Sequence, residues 1–212
     1  MRPMNLTSTE DLREIYRPAR GGAVNKVIDH LDHHCVDFLA KSPLFILSTA
    51  DRNGVCDGSP KGGAPGFVQA LDAAQLAFAD YSGNNRLDSF ENVVTNRRVS
   101  LLFLIPGLDE TLRVNGTAEL STDPDVCRRF AVGDKPAKVV AVVTVAEAYI
   151  HCAKALRRAG VWDTTTWLDS DDVPSAVRIL RDHAAIDGDI EAIAEGYNND
   201  VDATLWNPGG SA

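Results

Sequence analysis

The sequence predicts a mainly β fold with added helices, the α+β class. About six short apolar or alternating segments fall between residues 44 and 121, and alternation with period two is typical of strands. One helical pattern is inserted among them at residues 84–95, and an acidic helical stretch follows residue 169. Closing such a sheet into a barrel would remove its exposed edges. No apolar run approaches the ~20 residues that a membrane-spanning helix needs, so we expect no membrane partner.

Residues 1–41 are predicted to form an N-terminal helical segment. Thr7 and Glu10 have the spacing of a capping box, which predicts the start of a short first helix. Apolar residues recur at three- and four-residue steps over residues 23–40, and this period predicts a second helix.

The strands are predicted from their periodicity and from the turns between them. They cover residues 44–49, 55–59, 67–71, 75–79, 99–105 and 111–120. Asp51-Arg52-Asn53-Gly54 predicts a hairpin turn, because Asn-Gly readily adopts positive φ. A Val-rich segment at 138–145 predicts a further strand, and residues 146–158 have a helical pattern.

Charge and cysteine usage exclude several classes of function. The net charge is −9, whereas a general nucleic-acid binder needs a basic face, so no nucleic-acid partner is expected. The four cysteines include no Cys-x-x-Cys pair and so indicate neither a zinc site nor a redox pair. His30 and His34 have metal-ligand spacing, but they also fit the solvent-facing side of the second helix, and we predict no metal. The N-terminus has no apolar core of the signal-peptide type, so we expect a cytoplasmic protein.

The segment from Phe78 to Phe90 carries the clearest chemical signal. It reads as a strand, a Ser-Gly turn, Asn-Asn-Arg and then a helix start, where backbone N–H groups attract anions. Arg86 in this turn and Lys61 in a glycine-rich loop supply the two cations that a phosphate dianion favours. The same pattern also fits an ordinary strand–turn–helix with a solvated arginine.

Four short motifs occur in a fixed order within residues 40–165. They are Asp57-Gly58-Ser59-Pro60-Lys61-Gly62, Gly83-Asn84-Asn85-Arg86-Leu87-Asp88-Ser89, Asn96-Arg97-Arg98-Val99-Ser100-Leu101-Leu102-Phe103 and Leu112-Arg113-Val114-Asn115-Gly116-Thr117-Ala118. Together they resemble the pyridoxamine 5′-phosphate oxidase superfamily, the FMN-binding split barrels, and within it a branch of FMN-dependent enzymes of unknown substrate. The resemblance implies a six-stranded split β-barrel with flanking helices at 42–168, followed by an acidic helical C-terminal extension at 169–212. It also implies a homodimer with one FMN in each of two clefts between the subunits.

The resemblance further implies which residues touch the cofactor. Ser59 and Lys61 match strand positions that contact the flavin and its phosphate. The other implied contacts are Asn84, Asn85, Arg86 and Ser89 at the phosphate turn, Thr111 and Arg113 beside the isoalloxazine edge, and Lys154 and Trp162 toward the other subunit's cofactor. The branch departs from this sequence at Gly63 and at Tyr81-Ser82, where it usually has an acidic residue and an Arg-Pro pair.

The implied function is an FMN-dependent oxidoreductase that acts on an unidentified small substrate, with NAD(P)H or oxygen as the other redox partner. The alternative is a flavin-, deazaflavin- or haem-binding protein without turnover, acting in sensing, storage or haem handling. The Arg and His that hold pyridoxine phosphate in the true oxidase have no clear counterpart here, which argues against vitamin B6 synthesis. No catalytic residue is predicted.

Overall fold

The computed structural model describes residues 5–83 and 85–209. Within these residues, seven strands form one antiparallel sheet. The strands are β1 (Leu44–Ala50), β2 (Cys56–Gly62), β3 (Val68–Ala70), β4 (Gln75–Ala79), β5 (Arg98–Leu104), β6 (Thr111–Ser121) and β7 (Val140–His151). Their order is β2-β1-β5-β6-β7-β4-β3, so β2 and β3 are the two edges of an open sheet. The predicted α+β class is confirmed, and the open sheet fits a split barrel with seven strands instead of six.

Eight helices occur in the described residues. They are α1 (Thr9–Ile15), α2 (Gly22–Asn25), α3 (His33–Lys41), α4 (Asp88–Thr95), α5 (Pro124–Arg129), α6 (Lys154–Ala159), α7 (Ala176–Ala184) and α8 (Ile190–Thr204). Among them, α3 packs on β3 and α4 packs on β1, β2 and β6. A single 3₁₀ turn, Thr164–Thr166, follows α6 in that part of the chain. No helix in the described ranges is both long and apolar enough to cross a bilayer.

Two predictions for the N-terminal segment are wrong in detail. The cap of α1 is Ser8, whose hydroxyl accepts from the Asp11 N–H while the Asp11 carboxylate accepts from the Ser8 N–H. The predicted helix over 23–40 is interrupted, because Ile28 pairs with Ala148 of β7 through two backbone hydrogen bonds of 3.0 and 2.7 Å. Backbone pairing with the part of β7 that extends beyond β4 therefore competes successfully with helical propensity at this point.

The predicted helix over residues 146–158 is also wrong in its first half. Strand β7 continues to His151 and is paired with β6 along its whole length. Alanines at 146 and 148 favour a helix locally, but pairing with an 11-residue neighbour overrides that preference. The helical part, α6, begins only at Lys154.

The core lies on the face of the sheet that carries Phe45, Phe78 and Phe103, all almost fully buried. The centroid of the Phe45 ring lies 4.9 Å from the centroid of the Phe78 ring and 5.1 Å from that of Phe103. Helix α4 packs on β1 at this face through Phe90 and Val93. The start of α4 is thereby fixed beside the edge strand β2, where the candidate site lies.

Candidate functional site

A cavity of about 590 Å³ opens between β2, the start of α4 and the end of the chain. One wall is the inward-facing side of β2, and a second comes from residues 79–83 and 85–90, between β4 and the start of α4. A third wall comes from Leu205 and Trp206, which follow α8. The cavity therefore brings together three segments that are far apart in the sequence.

Strand β2 supplies to the cavity Ser59 and Lys61, two of the residues expected to contact the cofactor, and also Asp57, which was not expected there. The three alternate along β2 and lie opposite inward-facing residues of β1, because directly paired residues of an antiparallel sheet share a face. The Lys61 ammonium lies 5.4 Å from the centre of the Phe90 ring, a cation–π contact. The period-two pattern in Asp57, Ser59 and Lys61 is the signal that could have revealed the third residue.

The turn before α4 carries Asn85 and Arg86, and both line the cavity. The predicted residue Asn84 lies outside the described residues. Asn85 and Leu87 have φ values of 55° and 59°, a left-handed conformation that costs free energy for residues other than glycine. The Arg86 guanidinium forms an ion pair with the Asp88 carboxylate, with 2.8 Å between Arg86 Nε and Asp88 Oδ2. This turn thus combines a costly backbone conformation with a cation that lines the cavity.

Ser89, a further predicted contact, is buried at the start of α4 and lines the cavity. Its hydroxyl donates a short hydrogen bond to Asp57. One turn later, the Asn92 side chain donates to the Thr49 hydroxyl at 3.0 Å. These two bonds tie α4 to β2 and β1, so the cavity walls are connected by side chains as well as by packing.

Asp80 is an acidic group of the cavity wall that sequence reasoning did not single out. Burial raises the pKa of its carboxyl above the ordinary value, and the positive charge of Lys61 opposes that rise. Tyr81, the next residue, also lines the cavity, and burial raises the pKa of its hydroxyl. Nothing in the local sequence distinguishes Asp80 from other strand-end aspartates, so only the fold could show its place.

Thr111 and Arg113 lie outside this cavity, on the opposite face of β6. Arg113 Nη1 donates to the Tyr149 hydroxyl at 3.2 Å, and its Nε is buried without a hydrogen-bond partner among the described residues. His151 is paired with Thr111, and its Nε2 is likewise buried and unpartnered within the described chain. Burial, followed by the charges of Arg113 and Lys26, lowers the pKa of His151. We call these residues, Thr111, Arg113, Tyr149 and His151, the outer polar cluster.

Lys154 and Trp162 are not brought to the cavity either. Lys154 is exposed at the first turn of α6. The Trp162 indole N–H donates to the Leu108 carbonyl at 2.9 Å, and Arg157 pairs with Asp109 at 2.8 Å. Both contacts fasten the α6 region to the turn between β5 and β6.

His30 and His34, which were expected on one helix, do not share one, because α3 begins at His33. Within the described residues, Asp32, His33 and His34 place ligand atoms within 4.8 Å of one another. Asp32 already accepts from the Cys35 N–H as the cap of α3, and both histidines are exposed. The cluster is explained by helix capping and solvent exposure.

Comparisons with known proteins concern the same part of the chain. The family model described as pyridoxamine 5′-phosphate oxidase matches residues 31–152, a range that includes all seven strands of the described sheet. Helices α6, α7 and α8 lie beyond the match. No curated protein sequence matches the chain.

Solved structures with a similar fold share little sequence with the chain. HupZ from Group A Streptococcus is 18% identical over 57% of this chain and 99% of that chain, with a TM-score of 0.47. General Stress Protein 26 from Bacillus anthracis is 15% identical over 54% and 89%, with a TM-score of 0.41. An FMN-binding protein from Syntrophomonas wolfei is 15% identical over 55% and 87%, with a TM-score of 0.39. At these values the likenesses carry no argument about function.

Proposed function

Because the chain belongs to the pyridoxamine 5′-phosphate oxidase family, whose members commonly bind FMN or related flavins, we propose that it binds FMN in this cavity and acts as an FMN-dependent oxidoreductase on a small substrate. The observation that carries the proposal is the meeting of Lys61 and Arg86 in one cavity. These cations come from an edge strand and from the turn before a helix, and a phosphate dianion is bound best by such charged donors.

The size and the charged lining of the cavity support FMN as its ligand. Its volume of about 590 Å³ lies inside the ~300–1,000 Å³ range of small-molecule sites. A guanidinium carries five N–H donors, so the pairing of Arg86 with Asp88 is compatible with a phosphate contact. The carboxylate of Asp57 is engaged by Ser89, which reduces its repulsion of an anion.

Bound FMN would supply the hydride- or electron-transfer chemistry, and the residues of this chain would bind and orient it. Lys61 and Arg86 would hold the phosphate, and Ser59 would line the path between phosphate and ring. Asp80 would add a carboxyl group to the wall of the site, and burial raises its pKa above that of an exposed aspartate.

We further infer a homodimer in which each subunit completes the other's site. Leu44, Ile46 and Leu102 are only partly covered and occupy the face of the sheet opposite Phe45. The outer polar cluster adjoins them on that face, with its unpartnered Arg113 Nε and His151 Nε2. Contacts of Thr111, Arg113, Lys154 and Trp162 with FMN would therefore be made to the cofactor of the second subunit.

Flavin binding is tested by titration of the purified protein with FMN, together with the absorbance spectrum and mass of any small molecule that it retains. Lys61→Ala and Arg86→Ala should each weaken FMN binding by about 1.5–3 kcal/mol, the usual value of a charged hydrogen bond. Arg97→Ala is the matched control, because Arg97 is an exposed cation paired with Glu119 away from the cavity. Equal FMN affinity in all four proteins would exclude this phosphate site.

Turnover and passive binding are separated by reduction under anaerobic conditions. Loss of the flavin absorbance after addition of NADH or NADPH is expected of the oxidoreductase. A bound flavin that stays oxidised with both donors would favour the non-catalytic alternative. Light scattering gives the oligomeric state, and a monomer with full FMN affinity would contradict the shared site.

A further inference from the structure

The segment Leu205–Gly209, which we call the strap, returns from α8 to the body of the protein. It runs antiparallel to residues 80–82, with a bridge between Tyr81 and Pro208. The Ser82 N–H donates to the Asn207 carbonyl at 2.8 Å, and the Gly209 N–H donates to the Asp80 carbonyl at 3.0 Å. The strap is therefore fixed to the residues that lead into the proposed phosphate turn.

The far end of the strap is more deeply buried than the two helices that precede it. Helices α7 and α8 bury none of their residues, whereas Pro208 and Gly209 are both buried. The Lys135 ammonium adds a 3.3 Å hydrogen bond to the Asn207 side chain. A Cβ at Gly209 would lie 1.9 Å from Asp80 Oδ2 and 2.7 Å from Asp80 Cγ, so a larger residue at this position would have to displace the Asp80 carboxylate or the strap.

Docking of the strap brings Trp206 to the cavity. The Trp206 ring meets Tyr81 edge-on, with centroids 6.2 Å apart and an interplanar angle of 85°. Trp206 is still 51% exposed, and it lines the cavity with Leu205. A large aromatic side chain held beside the cavity yet only half covered leaves ring surface for a ligand to cover.

We propose that the strap is part of the ligand site and that Trp206 packs against the planar ring of the bound flavin. This inference rests on the proposed function and extends it to a segment outside the family match at residues 31–152. A contact with the ring predicts a different ligand dependence from a contact with the phosphate. Riboflavin has the same ring as FMN and lacks the phosphate, so comparing the two ligands separates Trp206 from Lys61.

The experiment measures Kd for riboflavin and for FMN by fluorescence titration of the full chain. Trp206→Ala should raise the Kd for both ligands by the same factor, roughly tenfold, which lies within the range for aromatic stacking. Trp206→Phe should bind both ligands with most of the wild-type affinity. Lys61→Ala should raise the Kd for FMN and leave the Kd for riboflavin unchanged. Trp167→Ala is the control, since Trp167 is an exposed tryptophan whose indole N–H donates to the Val161 carbonyl and which does not line the cavity.

A second variant tests the strap independently of the tryptophan. Gly209→Val places side-chain atoms on the Asp80 carboxylate and should undock the strap, giving the same loss for both ligands as Trp206→Ala. Circular dichroism would establish that the variant is folded. Wild-type affinity for both ligands in folded Gly209→Val and Trp206→Ala, with FMN weakened in Lys61→Ala, would overturn the strap inference and leave the proposed function standing. A wild-type protein that binds neither ligand would overturn both.

Discussion

Replacing Gly116 with alanine is expected to lower the melting temperature by roughly 6–12 °C. Gly116 lies at the irregularity in the pairing of β6 with β7, the two longest strands described. An added Cβ would lie 2.0 Å from the Thr144 carbonyl oxygen, whereas real Cβ contacts stay above 3.0 Å. The obstacle is backbone, so the strands must move apart by about 1 Å, the difference between those two distances.

Overpacking of this kind costs ~3 kcal/mol at the upper end of its usual range. For a chain of this size each kcal/mol lowers the melting temperature by about 2–4 °C, which gives the expected shift. Thermal unfolding followed by circular dichroism is the assay. Gly58→Ala is the matched control, because Gly58 is also in a strand of this sheet and its Cβ would meet nothing within 4 Å. A Gly116→Ala shift no larger than that of Gly58→Ala would refute the steric argument.

Three further results are expected. Ser89→Ala removes the hydrogen bond to Asp57 and should lower the free energy of unfolding in urea by about 1–2 kcal/mol, and an unchanged value would show that this bond contributes nothing. Burial is the main cause that lowers the pKa of His151 from 6.5 in the folded protein. The stability that neutral His151 contributes is therefore complete above about pH 6.5 and is lost as the pH falls toward the folded-state pKa. Between about pH 7.5 and 5.5 the melting temperature of His151→Gln should fall less than that of the wild type. Burial raises the pKa of the Cys35 thiol to about 11. Iodoacetamide at about pH 8 should therefore label exposed Cys56 and leave Cys35 unlabelled until the protein is denatured. Equal labelling of Cys35 and Cys56 in the native protein would contradict this packing.

The strands could be predicted from the sequence because their signals are local. Alternation, apolar runs and the Asn53-Gly54 turn identify β1 to β6, and the turn forms with φ of 84° at Gly54. The second half of β7 could not be predicted, since its alanines favour a helix until β6 is present as a partner. The break before α3 has the same cause, a backbone pairing between Ile28 and Ala148 that no short window contains.

The residues of the candidate site also differ in how far the local sequence could predict them. Lys61 and Arg86 were found because each lies in a short motif, and the structure brings both to one cavity. Trp206 was missed because it reaches the cavity through the strap, which pairs residues separated by most of the chain. Asp80 was missed because nothing in the local sequence marks it as a cavity residue. Arg113 and Thr111 belong to the opposite sheet face, and a dimer is the arrangement through which they would meet a flavin.

A crystal structure of the protein with FMN tests the central claim most directly. The account predicts FMN phosphate oxygens within about 4 Å of both the Lys61 ammonium and the Arg86 guanidinium, the distance of an ion pair. A phosphate bound elsewhere, with these two side chains directed into solvent, would contradict it.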